Sequence, residues 1–183
     1  MRPPMLAVGT VVWLASELMF FSGLFAAYFT LRASHRGPWP PQGTDLNARI
    51  AGLFTLFLVA SSGTIQLANR GLAQRDRRRF RGWVLVTMAL AVVFLANQVR
   101  EWADASFSAS SHSFGSAFYV MTGFHGLHVL GGVIAMGFLL GRAASPRFGA
   151  RENDLAAAEV VSYYWHFVDV VWIGLYFTLF ILK

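Results

Sequence analysis

Near the end of the chain runs Val160–Leu182, and inside it Tyr163-Tyr164-Trp165-His166-Phe167-Val168-Asp169-Val170-Val171-Trp172. The run has about the length of a bilayer-crossing helix, on the order of 20 residues. It nonetheless holds a histidine and an aspartate well inside. A charge near the bilayer centre is costly, so such residues persist where they are buried against a partner or serve a function. Helical spacing puts His166 and Asp169 on one face, and Glu159 and Tyr163 extend that face by whole turns. The stretch therefore predicts a helix with a polar face that must meet something, and the remaining segments read as helices built to meet it.

Hydrophobic residues make up 56% of the 183 positions and charged ones 13%, which places the chain in the membrane class. Met1-Arg2-Pro3-Pro4 leads straight into an apolar run too long for a signal-peptide core, so no secretory leader is expected. There is no cysteine, which excludes disulfides, zinc fingers, thiolate-bound clusters and covalent haem attachment through Cys-x-x-Cys-His. The net charge of +6 is not a nucleic-acid signal, and no nucleic-acid partner is expected, because the arginines gather in loops between apolar runs.

Five such runs stand out: Leu6–Leu31, Ile50–Ala68, Trp83–Val99, Phe114–Leu140 and Val160–Leu182. The fold class is thus all-α, a polytopic five-transmembrane-helix bundle, with residues 1–183 forming one integral-membrane domain. The third run is short, and Trp83 and Trp102 are expected to anchor it at the two interfaces. Ten of the fifteen basic residues fall on the side of the N-terminus and of the second and fourth connections. The positive-inside rule then puts the N-terminus in the cytoplasm and the C-terminus outside. The cluster Arg75–Arg81 is read first as a topology signal, with anionic lipid contact added. The loop Gly37-Pro38-Trp39-Pro40-Pro41 is expected to be stiff and extended, either a cap with an interfacial tryptophan or a docking surface. His35 and His112 are expected in solvent.

Three runs carry polar groups where they are expensive. The first has Ser16-Glu17, with Trp13, Phe20, Phe21, Leu24 and Tyr28 around Glu17 by helical spacing. Glu17 is either a proton-accepting site or a hydrogen-bonded packing residue. The fourth has Thr122-Gly123-Phe124-His125-Gly126-Leu127-His128-Val129-Leu130-Gly131-Gly132. Its glycines permit close helix approach, and His125 and His128 are expected to share a face and bond to Asp169, Glu17 or Glu159. Bound metal or haem is the competing reading, since neutral imidazole is a common ligand. There is no phosphate-cradling glycine loop, no Gly-x-Ser-x-Gly elbow and no His-Glu-x-x-His. Three intramembrane histidines are too few for two haems and a copper, and five spans give no pair of inverted transporter halves.

Three strings, Ala15-Ser16-Glu17-Leu18-Met19-Phe20-Phe21-Ser22-Gly23-Leu24-Phe25, Thr122–Val129 and Tyr164–Trp172, lie on three spans. Together they resemble subunit III of the haem–copper cytochrome c oxidases over nearly the whole chain. The loop Trp39-Pro40-Pro41 with Asp45-Leu46-Asn47 is most similar to the short actinobacterial type. The resemblance implies an accessory subunit of a proton-pumping aa3-type oxidase in the bacterial plasma membrane, with no redox centre or metal of its own. Haem a, haem a3 and copper would lie in partner subunits, and oxidase subunits I and II would be its neighbours. A cytochrome bc complex in a respiratory supercomplex and membrane lipids are further implied partners. The chain would stabilise subunit I, support its proton uptake and protect it from turnover inactivation. Glu17 matches the family's intramembrane carboxylate, and His125, His128, His166 and Asp169 match its buried polar positions.

The sequence departs from the longer family members in one respect. They have seven spans, and the Ser-Glu-x-x-Phe-Phe helix is their third, whereas here it is the first. The two helices it lacks form one arm of a cleft that holds phospholipid. Five-span relatives also serve quinol oxidases. The alternative from another class is a b-type haem anchor passing electrons to quinone, with His125 and His166 as axial ligands.

Overall fold

A computed structural model describes residues 5–44, 46–145, 148 and 152–182. Arg2, Asp45, Arg147, Arg151 and Lys183, which entered the loop and charge arguments, lie outside the described residues. Five helices follow one another: α1 (Met5–Ser34), α2 (Ala48–Ala73), α3 (Arg77–Asp104), α4 (Ser113–Ala143) and α5 (Glu152–Tyr176). All five are long and apolar enough to cross a membrane. They outrun the apolar segments because polar residues begin and end them. Asn47 and Asp76 cap α2 and α3 by accepting from the amides of Ile50 and Arg79. The last turn, Phe177–Ile181, widens into a π-helix.

Short connections make neighbouring helices antiparallel. At one end the α2–α3 turn meets the α4–α5 connection, where Arg77 donates to the Ser145 carbonyl (3.0 Å) and Phe80 packs on Phe148. At the other, Ser106 donates to the Gly43 carbonyl (2.6 Å). There His112 is not in solvent as expected: its Nδ1 accepts from the Gly115 amide and caps α4, and its Nε2 lies beside Thr44. The Trp39 loop also turns inward. Trp39 is half-buried, donates to the Tyr28 hydroxyl (3.0 Å) and stands edge-on to His35. An indole needs an acceptor when buried, and Tyr28 supplies it. Trp102, expected as a lipid anchor, is likewise claimed by the bundle, donating to Thr122 (3.1 Å).

α5 is the axis of the bundle. It packs on α1, α2 and α4, and its most apolar stretch is far more buried than that of α1. Its large side chains donate to α2 in a staircase: Trp165 to Ser61 (2.8 Å), Trp172 to Thr55 (2.9 Å) and Tyr176 to the Ala48 carbonyl (3.0 Å). Each buries a large apolar surface while satisfying its one polar atom. On the α4 side, Trp165 fits because residue 132 is glycine; a Cβ there would lie 2.6 Å from the ring. Gly123 and Gly126, also expected to mediate close approach, have no atom nearer than 3.6 Å and 3.9 Å to such a Cβ. The tight α4–α5 seam is a property of Gly132 alone among these three.

α2 ends in a Schellman turn: the Asp76 amide donates to Gly71 and the Arg75 amide to Leu72. Arg75 therefore takes the left-handed conformation (φ 58°), which costs an L-residue roughly 1–2 kcal/mol and usually selects glycine.

Candidate functional site

Two carboxylate–histidine clusters lie on different sides of α5, one toward α1 and α4 and one toward α2. The first joins α1 to α4. Glu17 Oε2 lies 3.0 Å from His128 Nε2, with Glu17 24% and His128 16% exposed in their side chains. The opposite ring nitrogen, Nδ1, lies 2.7 Å from the Phe124 carbonyl oxygen. That oxygen only accepts, so Nδ1 carries a proton. The contact between Nε2 and Glu17 needs a second proton, either on nitrogen, as imidazolium and carboxylate, or on oxygen, as imidazole and carboxylic acid. Both arrangements hold one proton more than a neutral imidazole beside a carboxylate.

Aromatic rings surround this pair. Phe21 stands edge-on to His128 with centroids 4.9 Å apart, and Trp13 stacks on Tyr164 at 5.0 Å. Tyr164 reaches across from α5 to donate to the His128 carbonyl (2.9 Å). Of the rings expected around Glu17, Phe20 and Phe21 stand against its partner His128, whereas Tyr28 turns to Trp39 and the Thr178 carbonyl.

The second cluster joins α5 to α2. The Gln66 amide nitrogen lies 2.6 Å from His166 Nε2. The amide donates there, which leaves His166 Nδ1–H to donate to the Ser62 hydroxyl at 2.8 Å. Ser62 in turn donates to Asp169 Oδ2. His166 and Asp169 share a face as the spacing predicts, yet a serine from α2 stands between them. Asp169 is 4% exposed, and its Oδ1 is buried without a hydrogen-bond partner among the described residues.

Other expected members fall elsewhere. Glu159 and Tyr163 are exposed and join neither cluster, because α5 rotates their side of the helix outward. His125 does not share a direction with His128. It is fully buried between Trp172 (4.8 Å) and Phe94 (5.9 Å), and neither ring nitrogen has a hydrogen-bond partner among the described residues. His125 and His166 therefore face different neighbours. Among the described residues, no three His, Asp or Glu side chains gather closely enough to hold a metal ion. The reading of the sequence missed Ser61, Ser62 and Gln66. The available signal was their presence, with Thr55 and Thr64, in an otherwise apolar span.

The family model for cytochrome c oxidase subunit III matches residues 4–183. The chain belongs to that family. It is 48% identical over its whole length to a "Probable cytochrome c oxidase subunit 3" of Nocardia farcinica, covering 90% of that protein. It is 41% identical to a "Cytochrome c oxidase subunit 3" of Corynebacterium diphtheriae, covering all of this chain and 90% of that one. The corresponding protein of Thermostichus vulcanus is 40% identical, with 99% of this chain and 89% of that one covered. With five bilayer-length helices, this subunit III family member is a multi-pass protein of the bacterial plasma membrane, part of an oxidoreductase complex of the respiratory chain. The resemblance to the actinobacterial type holds on these relatives.

Proposed function

We propose that the chain is the accessory, redox-centre-free subunit III of a proton-pumping aa3-type cytochrome c oxidase. In this reading it stabilises subunit I and supports proton uptake into it, while the haems and copper sit in partner subunits. The arginine-rich end faces the cytoplasm, and residues 1–183 act as one membrane domain. The observation that carries the redox-free assignment is how the three intramembrane histidines are used. His128 is bonded to Glu17 and the Phe124 carbonyl, His166 to Ser62 and Gln66, and His125 is packed between Trp172 and Phe94. A haem held by two axial histidines needs their rings turned to one site, and these three rings meet three different sets of neighbours.

Proton handling is assigned to Glu17 and His128. The pair holds an exchangeable proton at the least buried helix, α1, rather than in the sealed interior. The outward side chains of α1 are apolar, with Val11, Val12 and Met19 each more than 60% exposed. That surface suits a cover by another subunit or by lipid. Asp169 and His166 serve to position α5, and the bc-complex partner of a supercomplex would be met by surfaces outside both clusters.

Optical difference spectra test the assignment. The complex purified through a tag on this chain should show a-type haem, and the chain stripped from it should be colourless. A b-type haem signal retained by the stripped chain would overturn the redox-free reading.

A further inference from the structure

At the arginine-rich end, between the α2–α3 turn and the end of α4, lies an open cavity of about 520 Å³. Gln74, Arg75, Asp76, Arg77, Arg78 and Arg81 line it, with Ala143 and Ala144 closing the α4 side. Its size falls in the range of small-ligand sites. Four guanidinium groups face a single carboxylate there. Asp76 is already engaged, accepting from the Arg79 amide (3.0 Å) and pairing with the Arg79 guanidinium (3.2 Å). Arg77 is fixed by the Ser145 carbonyl. Arg75, Arg78 and Arg81 meet no carboxylate among the described residues.

Two features separate this cavity from a simple topology signal. Orientation in the membrane depends on the number of basic residues in a loop, and asks neither for a cavity nor for one particular backbone shape. Here the chain places an arginine at the left-handed position of the Schellman turn (φ 58°), where glycine is the unstrained choice. Strain kept at one residue points to a use for that residue's side chain. The cavity also opens where the spanning helix α2 ends and α3 begins. Leu85, one turn inward from Arg81, is 55% exposed, so the surface passes directly from guanidinium to hydrocarbon.

We propose that this cavity is a binding site for the phosphodiester headgroup of an anionic membrane lipid, with Arg75, Arg78 and Arg81 as the phosphate ligands. Guanidinium groups bind phosphate oxygens through paired N–H donors, and three of them suit a headgroup with more than one phosphate. The apolar surface below the cavity takes the acyl chains, which favours a lipid over a soluble anion. The site is independent of which oxidase the chain serves.

Native mass spectrometry of the tagged complex, delipidated in mild detergent and titrated with lipid, tests the proposal. Diphosphatidylglycerol should bind at least tenfold more tightly than phosphatidylcholine, and Arg78→Gln with Arg81→Gln should remove that preference. Arg36→Gln with Arg49→Gln, at the opposite end, should leave it intact and control for net charge. Equal binding of the two lipids, or retention of the preference in the Arg78/Arg81 variant, would overturn the site. Displacement of bound lipid by inorganic pyrophosphate at equal concentration would also overturn it, assigning the cavity to a soluble anion. Should the double variant fail to assemble, Arg78→Gln alone is expected to lower the preference several-fold.

Discussion

Glu17–His128 and Asp169–Ser62–His166 use similar chemistry on different sides of α5, but their hydrogen bonds are closed differently. In the α2–α5 cluster each donor has an acceptor and the chain of bonds runs one way, from Gln66 to His166 to Ser62 to Asp169. Such a network specifies a register between two helices. In the α1–α4 cluster the geometry requires a proton that the two side chains do not supply in their simplest forms, and the site is partly open. In the proposed function the same two residue types thus serve once as a fastener and once as a proton-holding pair. The partners contributed by the neighbouring helix decide which.

The largest effect is expected where both clusters are set at once, at the α4–α5 seam. Gly132→Val would drive a side chain into the Trp165 ring, an overpacking worth about 1–3 kcal/mol or more, and should abolish incorporation into the complex on native gels. Ser62→Ala comes next. It strands both the His166 N–H and the Asp169 carboxylate, a loss of about 1–3 kcal/mol, visible as a lower thermal midpoint of the detergent-solubilised complex. Asp169→Ala strands only the Ser62 hydroxyl, whose oxygen still accepts from His166, and should cost less than Ser62→Ala. The reverse order would show that the serine is not the bridge. The smallest effect belongs to His125→Leu. Its ring nitrogens have no partners among the described residues, so an apolar side chain of similar size should be close to neutral or stabilising. A clear fall in thermal midpoint would reveal a polar role for His125.

Much of this was legible in the residues. Apolar length gave the five helices, and the strings around Glu17, His125 and His166 gave the family. The face shared by His166 and Asp169 followed from helical spacing. Helix rotation was not legible. Glu159 and Tyr163 obey the same spacing as His166, but the packing of Trp165 and Trp172 on α2 turns them outward. His125 and His128, three residues apart, diverge because neighbours on two sides of α4 divide them: Trp172 and Phe94 take one, Glu17 the other. Residues at the ends of the bundle misled for a related reason. Trp39, Trp102 and His112 look like interface or solvent residues until Tyr28, Thr122 and the Gly115 amide claim their polar atoms. Pairings between distant segments carry no local signature, and each of these pairings is distant or depends on a turn.

The proton-holding role of Glu17 is tested most directly by Glu17→Gln in the assembled oxidase. The substitution keeps the side chain's shape and a hydrogen bond to His128 while removing its titration. Assembly and haem content should match the parent, and the number of turnovers before inactivation should fall several-fold, together with slower proton uptake. Unchanged turnover number and uptake rate in a fully assembled Glu17→Gln enzyme would contradict the account and leave both clusters as fasteners.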